Sequence, residues 1–308
     1  MLLPNNKARQ VWSVVAAALL AAAPSFADTE DKKFSLSVEA GIEHYDNITV
    51  SVLDQTTGES DQAVVFDLSA SYIAFQEAGR EVELSYDFYQ SLHDTMGDFD
   101  LQIHALSALG SWEIGEYDTG LNYNYSKIYL GSDRLYQSHT LAPSLGFSSS
   151  SELYHRLSYG YLKKDFYSNS ARDADQHSIS LDNYYFFMDA QAYVSAGLRL
   201  EEEDARDPEL DYRGTYIKLG TSVPLPYGKQ PFKLKANYQH YWRNYDNVTA
   251  SIGQHRDDEQ DLITIELITP LYKMLSAKFA YEYLSADSNL PSSDYDENTF
   301  TLSLLADF

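Results

Sequence analysis

Two groups of charged residues in this chain are spaced so that they could set up an electric field. Side chains of an extended segment alternate between its faces. Counting in twos puts Glu39, Glu43, Asp67, Glu81, Glu83, Asp87, Glu266 and Glu282 on the more polar face of their segments, with one cation, Lys278, among them. Arg156, Lys164, Arg199, Lys218, Lys233, Lys235 and Arg243 occupy the same face in the middle of the chain. If the segments close into a barrel, first beside last, the groups become an acidic wall and a basic arc facing each other across a lumen. Such a field would orient and select polar solutes. The blander alternative is that the charges pair and fill a closed interior.

Groups able to do covalent or metal chemistry are scattered. His44, His93, His104, His139, His155, His177, His240 and His255 fall on different segments, and none forms a metal-ligand pair at close spacing. Ser138-His139, or Asp133 with His139, stands where a barrel hydrolase could place such residues, but both read as an ordinary polar strand start. Asp287 to Asp296 is acidic enough to attract Ca²⁺, yet its spacing matches no defined calcium loop and it reads as a solvated acidic face. No catalytic residue, metal or cofactor is expected.

The charged positions need strands to hold them. From Phe34 the sequence divides into segments of about ten to fifteen residues with period-two alternation. Phe34 to Tyr45 sets Leu36, Val38, Ala40 and Ile42 against Ser37, Glu39 and Glu43. Arg80 to Leu92 sets Val82, Leu84, Tyr86 and Phe88 against Glu81, Glu83, Ser85 and Asp87. The last segment places Phe300, Leu302, Leu304, Ala306 and Phe308 opposite Thr301, Ser303 and Asp307. Connections are longer and polar after odd segments, and turns after even ones, the asymmetry of outer-membrane barrels with both termini in the periplasm. The expected fold is all-β: a transmembrane antiparallel up-and-down barrel of about 14 strands, an even number that closes without an exposed edge. It occupies 28–308 as one domain. No connection is long enough for an obvious plug, although Asp46 to Asp61 could fold inward.

Composition agrees. Among 308 residues, 46 Asp and Glu stand against 22 Lys and Arg, and the net charge of −24 disfavours nucleic acid as a partner. Acidity of this size suits disorder, but 26 Tyr, 14 Phe and 3 Trp argue against it and fit interfacial girdles. At the amino end Lys7 and Arg9, an apolar run from Val11 to Ala23, and Pro24-Ser25-Phe26-Ala27 read as a secretory signal peptide over 1–27, cut after Ala27. The absence of cysteine excludes disulfides and lipid attachment through a cysteine.

The terminal Phe308 resembles the signature by which Gram-negative outer-membrane barrels are recognised for assembly. AGIEHYDNITV, YLGSDRLYQSHTLAPSLGF and the closing YEYLSADSNLPSSDYDENTFTLSLLADF resemble the carboxy-terminal barrel of surface lipoprotein assembly modifiers, which follows tetratricopeptide repeats, here without the repeat domain. The resemblance is one of pattern along 28–308, most specific in the final SN…DYDEN…F run. It implies an integral outer-membrane barrel of similar strand number, in a family that helps move lipoproteins to the cell surface. The partners implied are outer-membrane lipid and lipopolysaccharide, the barrel assembly machinery, and a periplasmic repeat protein or client lipoprotein. Three functions stay open: a channel or transport barrel for small polar solutes or an exported polymer, an export component for surface lipoproteins, and a structural or adhesive surface barrel.

Overall fold

The computed structural model describes residues 33–226 and 232–308. The expected signal peptide, and the expected turn after Pro226 as far as Lys229, lie outside the described residues.

Fourteen strands close into one antiparallel barrel, each paired with its sequence neighbours and the last paired with the first. They are β1 Phe34–Tyr45, β2 Asp61–Glu77, β3 Arg80–His93, β4 Leu101–Ile114, β5 Tyr117–Leu130, β6 Asp133–Ser148 and β7 Leu153–Phe166. The ring continues through β8 Ala174–Phe187, β9 Ala192–Ala205, β10 Tyr212–Leu225, β11 Phe232–Thr249, β12 Gln254–Tyr272, β13 Leu275–Ser288 and β14 Tyr295–Asp307. Closure leaves no free strand edge, which a bilayer would not tolerate. At the seam, Phe308 and Leu36 exchange backbone hydrogen bonds, beyond the last register pair of β1 and β14.

The alternation has a direct physical outcome. Leu106, Leu141, Leu157, Ile179, Leu219 and Leu302 are all exposed on the outer wall. Among the described residues no large side chain is fully buried, because the apolar faces look out to lipid instead of into a packed core. Strands of 12 to 19 residues exceed the roughly 9 to 11 needed to cross a bilayer, so they run past the hydrocarbon. The register slips at four places, between Ile73 and Phe75, Ile128 and Tyr129, Asn244 and Val248, and Pro270 and Tyr272; the first gives β2 an extra residue and turns Phe75 outward just before the left-handed Ala78-Gly79 turn.

The two ends of the barrel differ less in connection length than expected. The polar stretch Asp246 to Asp258 is mostly strand, because β11 runs on to Thr249 and β12 begins at Gln254. Between β5 and β6 only Gly131 and Ser132 remain. The single long connection at this end is 46–60, between β1 and β2, and it shapes the lumen.

Candidate functional site

Connection 46–60 folds inward as a strap across the lumen. It is built from its own sequence. Asn47 Oδ1 accepts from Thr56 Oγ1 (3.0 Å) and Gly58 N (2.8 Å), and its Nδ2 donates to the Asp296 carbonyl (2.9 Å). A short hairpin pairs Thr49–Val50 with Gln55–Thr56 around a 3₁₀ turn, Ser51–Leu53. Thr49 Oγ1 donates to Glu297 Oε2 at 2.6 Å, anchoring the base on β14. The turn ends at Asp54, in the left-handed conformation with φ 55°, which Asp adopts at lower cost than most non-glycine residues.

The tip is latched to the far wall. Arg172, between β7 and β8 and half the ring away from β1, donates from Nη1 to the Val52 carbonyl (2.8 Å) and from Nη2 to Asp54 Oδ2 (2.5 Å). Arg256 on β12 donates to Asp54 Oδ1 at 2.8 Å and to Asp258, and Ser293 Oγ donates to Asp54 Oδ1 at 3.1 Å. Burial works to raise the Asp54 carboxyl, but the hydrogen bonds and charges of Arg256 and Arg172 outweigh it and hold the group below the usual carboxylate range. On its apolar side the strap sets Val52 and Leu53 against Ile128, Leu135 and Phe166 of β5, β6 and β7. The strap is therefore held by charge at its tip and by apolar contact along its flank.

Beside the latch a cavity of about 200 Å³ opens onto a tyrosine cradle on β10 and β11. The Arg243 guanidinium lies 4.3 Å from the Tyr212 ring centre and 4.8 Å from that of Tyr241, and donates to the hydroxyls of Tyr241 and Tyr245. Tyr241 stacks on Tyr216 at 3.9 Å. Gly214 makes room for this: a Cβ there would lie 2.9 Å from Glu201 and 3.0 Å from Tyr241. The Tyr212 hydroxyl reaches Glu203 Oε2 (3.0 Å) and Glu201 Oε1 (3.2 Å), and Gln176 donates to both Glu203 and Tyr212.

The residues singled out by spacing alternate along their strands with exposed apolar side chains such as Leu84, Leu157, Leu198, Leu219 and Phe279. Four of the seven residues of the basic arc are paired where they stand. Lys164 bridges Glu203 at 2.7 Å, Arg199 bridges Glu201 at 2.7 Å, Lys235 bridges Glu266 at 3.1 Å, and Arg156 lies 3.5 Å from Asp182. Among the described residues Lys218, Lys233 and Arg243 make no ion pair, Arg243 donating instead to tyrosine hydroxyls. On the acidic wall Lys278 offsets Glu39, at 2.6 Å. Glu43 accepts from Tyr45, Tyr89 and Thr301, Asp87 from Ser69, Glu81 from Gln76 and Glu282 from Thr264. These are neutral donors, so no cation offsets those acids, and no ion pair offsets Asp67 or Glu83, the remaining members of the wall, among the described residues. Spacing alone did not single out Glu201 and Glu203, although they share the parity of Arg199, nor Asp182. The latch residues Asp54 and Arg172 lie in connections, where period-two reasoning has no purchase.

One serine and one histidine do meet: Ser149 Oγ shares a hydrogen bond with His155 Nε2 at 2.8 Å, and His155 Nδ1 another with Asn183 Oδ1 at 2.7 Å; the pair that spacing singled out, Ser138-His139, does not. Ser138 faces the lumen, buried, while His139 faces lipid and shares a hydrogen bond with the Tyr123 hydroxyl at 2.9 Å. His104 and His177 are paired in the same way with Tyr86 and Tyr159 on the outer wall. Tyrosine and histidine edges here make an interfacial girdle. Among the described residues no group of three or more His, Asp or Glu converges as a metal site.

A family model described as "Surface lipoprotein assembly modifier" matches residues 39–308. No curated protein matches the sequence. Among solved structures, an anion-selective porin from Comamonas acidovorans is 10% identical, with 89% of this chain and 98% of that chain covered and a TM-score of 0.53. OmpT of Vibrio cholerae is 11% identical over 91% of this chain and 99% of that one, with a TM-score of 0.52. CdiB from Acinetobacter baumannii is 9% identical over 91% of this chain and 61% of that one, with a TM-score of 0.52. At these identities the likeness is one of fold, an outer-membrane barrel.

Proposed function

Because this chain belongs to the surface lipoprotein assembly modifier family, we propose that it is a transport barrel of the outer membrane whose resting lumen is closed, and that it passes surface lipoproteins, or the parts of them that end up outside, when the strap yields. The observation that carries this reading is the strap itself, spanning from β1 to Arg172 on the opposite side of the ring. A freely diffusing solute needs an open lumen, whereas a barrel that handles a large client must be sealed between clients. Arg172 and Arg256 hold the tip through one side chain, Asp54, so a client that competes for those guanidiniums would release it. In this reading the connections between odd and even strands face outside, the termini face the periplasm, and a periplasmic repeat protein would present the client.

The test is surface exposure of the cell's own lipoproteins, each epitope-tagged, in a strain carrying or lacking this chain. The reading expects at least one lipoprotein to become protease-accessible on intact cells only when the chain is present. Unchanged exposure of the whole tagged set would overturn it.

A passage for small solutes has one observation in its favour, the uncompensated acids of β1 to β3. Near the terminal end, Glu83 and Asp87 line a cavity of about 380 Å³ together with Ser37, Ser85 and Phe308. Any ions leaking through the resting barrel would be cations.

A further inference from the structure

At the end of the barrel that carries both termini, the turn from β6 to β7 brings three polar side chains into line. Ser149 Oγ lies 2.8 Å from His155 Nε2, and His155 Nδ1 lies 2.7 Å from Asn183 Oδ1 on β8. The direction of both hydrogen bonds is set from the far end. Asn183 Nδ2 donates to the Ala196 carbonyl at 3.3 Å, and a carbonyl can only accept, so the amide turns its oxygen to the imidazole. That oxygen takes the proton of Nδ1 and leaves Nε2 as the acceptor for the serine hydroxyl. A hydroxyl bonded to a base whose other nitrogen is oriented by a third group is the arrangement that activates a serine nucleophile.

Ser149 is exposed, so its oxygen can be reached. The Ser150 N–H, next in sequence, has no hydrogen-bond partner among the described residues and is available to a developing oxyanion. The surroundings name the substrate. Phe147, His155 and Asn183 form a row across β6, β7 and β8, and two residues further along the same face the row is Leu145, Leu157 and Leu181. These leucines and Phe147 are all exposed, and the Phe147 ring centre lies 4.9 Å from that of His155. Exposed Tyr117, paired with Phe147, and exposed Tyr185, two residues from Asn183, flank the row as a belt at headgroup level would. The ester bonds of glycerolipids lie at that level, with their acyl chains running on into the hydrocarbon past the three leucines.

We propose that Ser149, His155 and Asn183 form a hydrolase site for the fatty-acyl ester of a membrane glycerolipid, with Ser149 as nucleophile, His155 as general base and acid, and Asn183 as the residue that positions the ring. The acyl chain lies along Leu145, Leu157 and Leu181. Ser149 Oγ adds to the ester carbonyl as its proton passes to His155 Nε2, the bond from the acyl carbon to the glycerol oxygen breaks, and that oxygen takes the proton. Water then adds to the acyl-serine, giving a proton to Nε2, which returns it to Ser149 Oγ as the fatty acid leaves. One ester and one water become one alcohol and one fatty acid, with no change of oxidation state. The site is on the outer wall, and the inference does not rest on the lipoprotein reading.

The test uses the whole processed chain refolded into nanodiscs of phosphatidylethanolamine and phosphatidylglycerol, with folding checked by heat-dependent electrophoretic migration. Mass spectrometry reads fatty acid and lysophospholipid, with empty nanodiscs as the blank. Release of the two in equal amounts is expected, lowered about 100-fold or more by Ser149→Ala and by His155→Gln. Asn183→Leu should lower it as well, and Asn183→Asp should keep it, because a carboxylate oxygen holds the same imidazole proton. A long-chain fluorophosphonate is expected to label the folded parent on Ser149 and to leave Ser149→Ala unlabelled. No release above the empty discs, or release unchanged by Ser149→Ala in folded protein, would overturn the inference. Ser149 is in an exposed turn, and if His155→Gln does not fold, Ser149→Ala decides the matter.

Discussion

Asp54, at the tip of a strap that leaves β1, accepts a hydrogen bond at 2.5 Å from Arg172, which lies half the ring of strands away. This contact joins two sides of the barrel that no strand pairing connects. It is largely covered by protein: the side chains of Asp54 and Arg172 are 11% and 21% exposed.

Asp54→Asn keeps a residue that tolerates the left-handed backbone and removes the charge that two guanidiniums share. Removing one partner of a buried pair costs about 3–5 kcal/mol, here from the docked strap and not from the barrel. Limited proteolysis should then cut within 46–60 in the variant and spare the parent, while both keep the heat-dependent migration of a folded barrel. Equal resistance in the two proteins would mean that the latch does not hold the strap.

Acid should leave the latch intact over most of its range. The Asp54 carboxyl is depressed in the folded state by Arg256 and Arg172, against the opposing effect of its burial. A depressed carboxylate contributes stability above its unfolded pKa, about 3.9, and loses it as pH falls through the lower folded value. Bilayer conductance is therefore expected to stay at its resting level from neutral pH to about 4, and to rise only below that. Opening between pH 6 and 5 would assign the gate to another group.

Lys233 makes no ion pair among the described residues, whereas Lys235 is bridged to Glu266. Lys233→Glu adds uncompensated negative charge to the lumen and should raise cation over anion permeability, read as a shift in reversal potential under a salt gradient. Lys235→Glu should raise it too, at greater cost in stability because it sets a like charge on Glu266. A reversal potential unmoved by Lys233→Glu would sink the role of a lumenal field.

Glu203→Gln removes the bridge to Lys164, whose side chain is 17% exposed, and weakens the support of Tyr212. The barrel should lose about 3–5 kcal/mol, seen as a lower temperature for the loss of folded migration. Arg213→Ala breaks bridges to Glu202 and Asp246 that stand in solvent at 3.5 Å, and should cost less than about 1 kcal/mol.

Strands and faces were legible in the sequence because lipid imposes a single rule on every strand: the ranges of β1, β7 and β10 follow from alternation and turn residues alone. Arg199 and Lys235 were singled out by the same rule. Their partners were harder to read, since Glu201 and Glu203 reach Lys164 and Arg199 across strands, and register is set by closure of the whole ring. The strap was harder still. Asp46 to Asp61 has the length to fold inward, but its direction depends on Arg172, 118 residues from Asp54 in sequence. That most of Asp246 to Asp258 is strand was hidden by its polarity, which marks a segment rising above the lipid as readily as a loop.

Closure of the lumen by the strap can be read from single-channel recording of the refolded barrel in a planar bilayer, with and without residues 48–57. The intact barrel is expected to be nearly silent and the shortened one, folded by the same migration test, to give stable cation-selective steps. Stable steps of the same size from both, or silence from the folded barrel without its strap, would contradict it.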